Sequence, residues 1–269
     1  NWSISQSRTT RTLRMDPTNP LRLYCSSSNG LYRTLDGAVT WLQVSPGDHR
    51  DVELKPGDPS QLYACTDRFY RSVSGGEAFT ASGITGLPSA DSVGRMAIAV
   101  CEAAPEVVYV LCSNQEDNSF LGLWRSDDAG LTFTLRSSSP NIFSYSEDGS
   151  GSGGQAWYDM ALAVDATNPD VVYVGGINVW KSEDGGETWD ITSHWVYPAE
   201  VGYTHADIHA LEVINGKVYC GSDGGFFASE DGAEEWNNLS HGLDIMQFYR
   251  MGSSELLPEL IVAGAQDNG

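Results

Sequence analysis

A ten-residue phrase occurs five times in this chain, each time with small changes. It reads Trp-Lys-Ser-Glu-Asp-Gly-Gly-Glu-Thr-Trp at 180–189, and related copies lie at 31–41, 69–79, 123–133 and 226–236. The copies start roughly 40 to 55 residues apart. A catalytic motif normally occurs once, whereas a phrase repeated at this spacing is typical of a fold built from repeated supersecondary units. The repetition therefore indicates that the phrase has a structural role in the fold and is not itself a catalytic motif.

Each repeat contains short apolar segments separated by turn residues. In the fourth repeat we predict strands over 160–165, 171–174 and 179–182, after which the phrase ends on an aromatic residue that starts a fourth strand. Asn-Pro and Gly-rich steps between the segments favour turns. Four short antiparallel strands in each repeat are the pattern of a β-propeller blade. We therefore predict an all-β fold, a β-propeller of four-stranded blades.

The phrase has a structural explanation at each of its positions. The Asp carboxylate can accept hydrogen bonds from turn N–H groups, the Gly permits a positive φ, and the final aromatic ring anchors the hairpin by burial. Ala38 and Ala233 replace the expected Gly, and Ser74 replaces the Asp. Such variation fits a structural clamp better than a shared catalytic residue. The predicted structural residues are Asp36, Trp41, Asp128, Gly130, Phe133, Asp184, Gly186, Trp189, Asp231 and Trp236.

The phrase resembles the Asp-box, or BNR repeat, of sialidases, sortilin-type receptors and xyloglucanase-like glycoside hydrolases. The resemblance covers nearly the whole chain and implies a propeller that we expect to be seven-bladed when complete. It implies little about activity, because enzymes and binding proteins share this repeat.

A closer resemblance is to large secreted Asp-box proteins of bacteria that export cargo through the type IX route. The segments that carry it are 155–165, 174–182, 205–209, 245–250 and 264–269. The resemblance implies a secreted or cell-surface location and further domains of the same parent chain. Most proteins of this lineage have no assigned reaction.

The repeats divide the chain into a single propeller segment. Whole blades are expected at about 8–44, 45–82, 90–137, 155–195 and 204–240. Partial blades are expected at 1–7 and 245–269. Because a propeller closes on itself, we expect the chain to be a fragment of a longer multidomain protein.

Composition argues against several classes of partner. The chain has 15 Lys and Arg against 36 Asp and Glu, a formal net charge of −21. Such a surface repels nucleic acid and anionic membranes, and no apolar run reaches the ~18–20 residues of a membrane span. The five cysteines form no CxxC pair, and four follow a tyrosine at a repeated strand position, which favours small buried side chains. No nucleotide or cofactor fingerprint is present, so no cofactor is expected.

The stretch His205-Ala-Asp-Ile-His209 is the most concentrated polar cluster. On a predicted first strand, period two would place His205, Asp207 and His209 on one face. A straight strand separates the two histidines by roughly 13 Å, too far for both to bind one metal ion, and we predict no metal site. The cluster is either a ligand-facing group or a structural hydrogen-bond network.

Carboxylates and aromatic rings are the remaining candidates. Glycoside hydrolysis usually uses two carboxylates, about 5–5.5 Å or 6.5–9.5 Å apart, and Asp159, Asp207 and Asp267 are candidate catalytic residues. Trp157, Tyr158 and Tyr203 could stack on sugar rings, the alternative being packing between blades.

The leading hypothesis is a secreted or cell-surface recognition propeller that binds glycans or another extracellular macromolecule at one mouth of the ring. The first alternative is a part of a xyloglucanase-like glycoside hydrolase whose second carboxylate lies outside this chain. The second is a structural component of a surface filament or adhesin.

Overall fold

The computed structural model describes residues 9–196, 201–243, 248–253 and 261–265. In these ranges the chain is built from strands, and its one helical segment is a single 3-10 turn, Ala90–Ser92. No helix in the described ranges is long and apolar enough to cross a membrane. The strands stay short because Gly, Asn and Ser turns interrupt the apolar segments.

Five sheets follow one another along the described chain. The first contains β1 (Thr10–Asp16), β2 (Asn19–Ser27), β3 (Gly30–Thr34) and β4 (Leu42–Pro46). The second contains β5 (Asp51–Leu54), β6 (Leu62–Cys65) and β7 (Phe69–Ser72). The third contains β8 (Val93–Cys101), β9 (Ala104–Asn114), β10 (Phe120–Ser126) and β11 (Thr134–Ser137).

The fourth and fifth sheets complete this series. The fourth contains β12 (Ala161–Val164), β13 (Val172–Gly175), β14 (Val179–Ser182), β15 (Asp190–His194) and β16 (Gly202–Tyr203). The fifth contains β17 (Ile208–Ile214), β18 (Lys217–Ser222), β19 (Gly225–Ser229) and β20 (Asn237–Asn238). A separate pair is formed by β21 (Phe248–Ser253) and β22 (Ile261–Ala265).

The predicted four antiparallel strands are present in the first, third and fifth sheets. In the second sheet an isolated bridge between Arg71 and Thr80 stands in place of a fourth strand. The residues that follow, 81–89, are rich in Gly, Ser and Pro, which do not extend a ladder. The fourth sheet gains a strand, because β16 pairs in parallel with β15.

The first strand of each sheet lies on the inside of the assembly. β1 contacts β5, β5 contacts β8, β8 contacts β12, and β12 contacts β17. Apolar side chains of neighbouring sheets fill the space between them, and Tyr109, Leu123 and Trp180 lie in one such layer. All five cysteines are buried and free, which confirms the prediction that they serve as small core side chains.

The repeated turn is organised by its carboxylate. Asp184 accepts hydrogen bonds from the Thr188 amide at 2.9 Å, the Thr188 hydroxyl at 2.6 Å and the Ser182 hydroxyl at 2.8 Å. Burial alone would raise the pKa of Asp184, but these bonds lower it to about 2. Equivalent Ser or Thr hydroxyl and turn-amide bonds occur at Asp36, Asp128 and Asp231. In the second sheet Ser74 stands in place of the carboxylate; its hydroxyl accepts a hydrogen bond from the Ala78 amide at 3.2 Å and lies 3.3 Å from the Ser72 hydroxyl.

The glycine position of the turn requires a left-handed backbone. Gly130 and Gly186 have φ of +80° and +87°, and Ala38 and Ala233 adopt the same conformation at +72° and +75°. An alanine there costs about 1 kcal/mol, which explains why glycine is the common choice.

The turns also connect neighbouring sheets. In the fourth sheet, Trp189 donates its indole N–H to the Ser137 hydroxyl of β11 at 2.8 Å. That hydroxyl in turn donates to the Gly186 carbonyl at 2.6 Å. Phe133 is likewise buried, whereas Trp41 and Trp236 are half-buried. The turn phrase therefore stabilises both its own hairpin and the contact between sheets.

Candidate functional site

The inner strands surround a central cavity. One end, with a volume of about 400 Å³, is lined by residues at the starts of the inner strands, including Arg11, Arg50, Arg95, Met160 and His209. We call this end the upper mouth. Five strands begin there, so loops from five sheets reach the same opening.

The polar cluster at 205–209 does not share one strand face, so that prediction was wrong. β17 begins only at Ile208, and Asp207 has a left-handed φ of +66°, which turns the chain before the strand. The His205 ring lies against Gly224, where an added Cβ would lie 2.0 Å from the imidazole Cγ. His205, Asp207 and His209 therefore have different neighbours, and it is His209 that lines the upper mouth.

Two aromatic residues predicted to bind ligand form an exposed surface beside His209. Trp157 is 64% exposed and Tyr158 is 41% exposed, with ring centroids 5.5 Å apart. The Tyr158 hydroxyl donates to Asp223 at 2.6 Å, and His209 Nε2 lies 2.8 Å from the other oxygen of that carboxylate. The Tyr158 and His209 rings meet edge to face at 4.8 Å. We call these four residues the aromatic platform.

A second aromatic pair lies near the same loop and joins Trp195, a candidate from the sequence, to Tyr145, which the sequence did not single out. Tyr145 is 58% exposed and contacts Trp195 with ring centroids 6.5 Å apart. Its hydroxyl donates to the side-chain carbonyl of Gln155 at 3.2 Å. Tyr145 could not be predicted as a site residue, because the Gly/Ser-rich loop around it has no periodicity that indicates how the loop folds.

Gln155 also connects the two candidate acids. Its amide N–H group donates to Asp159 Oδ2 at 3.0 Å and to Asp207 Oδ1. Asp159 is fully buried, whereas Asp207 is half-buried. Burial raises the pKa of Asp159 to about 7; the Gln155 hydrogen bond opposes this rise and the charge of Asp207 adds to it. The two side chains thus form a carboxyl pair that can hold one proton near neutral pH.

This pair predicts a pH-dependent stability. In the folded state Asp159 keeps its proton up to pH about 7, whereas in the unfolded state an ordinary Asp releases it near pH 3.8. Between these two values the folded state binds more protons than the unfolded state. The free energy of unfolding therefore falls as the pH rises through this range. We expect Asp159→Asn to gain about 2 kcal/mol relative to the wild type between pH 5 and pH 8. Urea denaturation at both pH values measures this, with the exposed Asp190→Asn as control. An equal difference at both pH values would contradict the prediction.

The other predicted residues lie elsewhere. Tyr203 lies in β16 and packs edge to face on Phe227, with centroids 6.1 Å apart, so it belongs to the layer between the fourth and fifth sheets. Asp267 lies outside the described residues. In the described part of the chain no group of three or more His, Cys, Asp or Glu side chains is placed to hold a metal ion.

Comparisons with known proteins identify the fold. The Xanthomonas campestris GH74 xyloglucanase structure superposes with a TM-score of 0.67 at 17% identity, covering 95% of this chain and 42% of that one. An ancestral GH74 enzyme superposes with a TM-score of 0.60 at 14% identity, covering 88% of this chain and 32% of that one.

The fold is a β-propeller. By sequence, the propeller is 26% identical over 246 residues to the xyloglucanase Xgh74A of Acetivibrio thermocellus, with 74% of this chain covered. It spans 27% of the length of that relative. No model of a known protein family matches the chain.

Proposed function

We propose that this propeller binds polysaccharide at its upper mouth, by stacking sugar rings on the aromatic platform. The observation that carries the proposal is the exposed Trp157 beside a Tyr158 and a His209 that are both fixed by Asp223. Aromatic faces bind the apolar C–H surface of sugars, and fixed polar neighbours orient the hydroxyl groups.

The comparisons favour a glycan of the xyloglucan type. The sequence relative and the two solved structures are enzymes of the GH74 group, and two of them are named for action on xyloglucan. A neutral polysaccharide also suits a chain with a net charge of −21, because it meets no electrostatic repulsion. The proposed setting is the cell surface or the extracellular medium, with further domains of the parent chain beside the propeller.

Removing the platform ring tests the proposal. We expect Trp157→Ala to weaken binding of xyloglucan oligosaccharides about tenfold or more, because stacking on one indole contributes over 1 kcal/mol. Isothermal titration calorimetry measures the affinity, and the melting temperature should change little because the ring is exposed. Leu131→Ala, which removes an exposed apolar side chain from the third repeated turn, is the matched control. Unchanged affinity in Trp157→Ala would refute the platform as the binding site.

A second candidate function, glycoside hydrolysis, is favoured by the carboxyl pair. A glycosidase needs an acid that is still protonated near neutral pH, and burial of Asp159 provides such a proton beside the more accessible Asp207. Both carboxyl groups are bound by one amide group, so they act as one unit and not as the two separated carboxylates that hydrolysis requires. The second carboxylate would therefore come from another part of the parent protein.

A further inference from the structure

Three arginines from three different sheets meet at the upper mouth. Arg11 belongs to β1, Arg50 precedes β5 and Arg95 belongs to β8, and all three line the cavity there. The whole chain has only 15 basic residues against 36 acidic ones. The lining also contains Arg14, which is paired with Glu53, and the acids Asp51 and Glu212. Three further guanidinium groups at one opening are therefore a local concentration of basic side chains in an acidic protein.

Acidic side chains balance this charge only in part. Asp48 is shared, with one oxygen 2.7 Å from Arg11 Nη2 and the other 3.0 Å from Arg50 Nη2. Arg95 instead donates to backbone carbonyls, which carry no charge: Nη1 to Ala156 at 3.2 Å and Tyr158 at 3.0 Å, and Nη2 to Met160 at 3.3 Å. Within the described residues no carboxylate lies at ion-pair distance from Arg95, so one carboxylate serves a group of three arginines.

The nearest buried acids, Asp51 and Asp159, both have raised pKa values. Burial raises the pKa of Asp51, which accepts hydrogen bonds from the Thr12 hydroxyl at 2.9 Å and the Ile98 amide at 3.0 Å. Asp159 holds its proton to pH about 7. Burial, and then mutual repulsion, lowers the pKa of Arg50 and Arg95, which is the behaviour of cations packed together without a sufficient counter-charge.

We propose that Arg11, Arg50 and Arg95 form an oxyanion subsite for a single carboxylate or sulfate ester carried by an otherwise neutral polysaccharide. The inference rests on the proposed function and specifies its substrate class. Guanidinium groups bind carboxylate and sulfate oxygens through paired, charge-assisted hydrogen bonds. A polyanion is disfavoured by the net charge of −21, whereas a single charged substituent on a neutral chain can be bound by the three arginines with little repulsion from the rest of the surface.

The position of Arg95 connects this subsite to the platform. Its guanidinium binds the carbonyls of the two residues that flank Trp157, so an anion held there would lie beside the stacking surface. On the other side, a cleft lined by Pro46, Asp48, Arg50 and Tyr70 leads away between the second and third sheets. A sugar chain could therefore stack on the platform, place its charged substituent on the arginines and continue into this cleft.

The test compares oligosaccharides that differ in charge. The probes are a glucuronate-substituted xylan oligosaccharide and a sulfated galactan oligosaccharide, each with its unsubstituted backbone as the neutral counterpart, and a neutral xyloglucan oligosaccharide. We expect one charged probe to bind the wild type tighter than its uncharged backbone does, and Arg11→Gln/Arg50→Gln to weaken that binding about tenfold or more while neutral binding stays within about twofold. Lys181→Gln/Lys217→Gln removes the same charge outside the mouth and should change neither.

Asp48→Asn is expected to increase affinity for the charged probe, a result that misfolding of the variant cannot produce. Because it removes the carboxylate that Arg11 and Arg50 share, it should tighten binding of the charged probe about three- to tenfold. The glucuronate and sulfate probes show which oxyanion is preferred. If neither charged probe binds better than its neutral counterpart, or if the arginine and Asp48 variants leave charged binding unchanged, the subsite is refuted. Neutral binding that still depends on Trp157 would leave the proposed function standing in that case.

Discussion

Replacing Trp189 by alanine is expected to lower the free energy of unfolding by about 3–5 kcal/mol. The ring is only 8% exposed and packs edge to face on Phe120, with centroids 6.3 Å apart, in the layer between the third and fourth sheets. Its removal leaves a cavity at the point where the repeated turn meets β11, and it also breaks the indole hydrogen bond to Ser137. Denaturation in urea or guanidinium chloride, followed by circular dichroism, measures the loss.

A matched pair of variants separates packing from hydrogen bonding. Trp189→Phe keeps a large ring and loses only the indole N–H, so it should cost about 1 kcal/mol for the bond and a smaller amount for the volume. The Ser137 hydroxyl keeps its bond to the Gly186 carbonyl in that variant. Trp157→Ala removes the same side chain from an exposed position and should cost little stability. Equal losses in Trp189→Phe and Trp189→Ala would show that the ring is not the anchor of the turn.

The repeated turn was predictable because its determinants are local. Ser182, Asp184 and Thr188 lie within seven consecutive residues, and their hydrogen bonds depend on nothing outside that span. Alternating apolar segments around it determined the strands, and so the propeller fold followed from patterns within single repeats. Even the exceptions, Ala38 and Ala233 at left-handed positions, were visible as departures from the phrase.

The candidate site was predictable only in part, because it is assembled from separate sheets. The structure brings Tyr158 and His209 into contact, whereas Tyr203 packs on Phe227 between two sheets. The left-handed Asp207 could not be foreseen, since a non-glycine residue with positive φ has no reliable sequence signal.

The arginines at the mouth were missed for a related reason. Aligning the repeats on the turn phrase draws attention to Arg33, Arg71 and Arg125, which precede the turn in successive repeats. Aligning them on their first strands instead would have shown Arg11, Arg50 and Arg95 near equivalent strand starts. Residues at one end of the inner strands converge on the axis, and this geometry can be used once the strand order is known.

The second large effect concerns the carboxyl pair. Under the second proposed function, glycoside hydrolysis by the full-length protein, Asp207→Asn is expected to lower the release of reducing ends from xyloglucan by about 10²–10⁴-fold, the usual contribution of a positioned acid or base. Oligosaccharide affinity should change by less than about twofold, because the platform is left intact. The wild-type activity should decline above pH about 7, where the pair loses the proton held on Asp159.

Two control variants test whether the loss of activity is specific to the carboxyl pair. Asp190→Asn changes an exposed acid outside the mouth and should leave the activity unchanged. Asp159→Asn keeps the Gln155 contact but removes the group that holds the proton, so its activity should fall by a similar factor and show no decline specific to pH above about 7. If Asp207→Asn retains more than about a tenth of the activity, the pair does not carry the chemistry, and the mouth binds polysaccharide for a reaction performed elsewhere in the parent protein. Oligosaccharide affinity is measured on the same Asp207 and Asp159 variants, with Trp157→Ala as the reference for lost binding. Catalysis by the carboxyl pair and binding at the platform can therefore be judged separately.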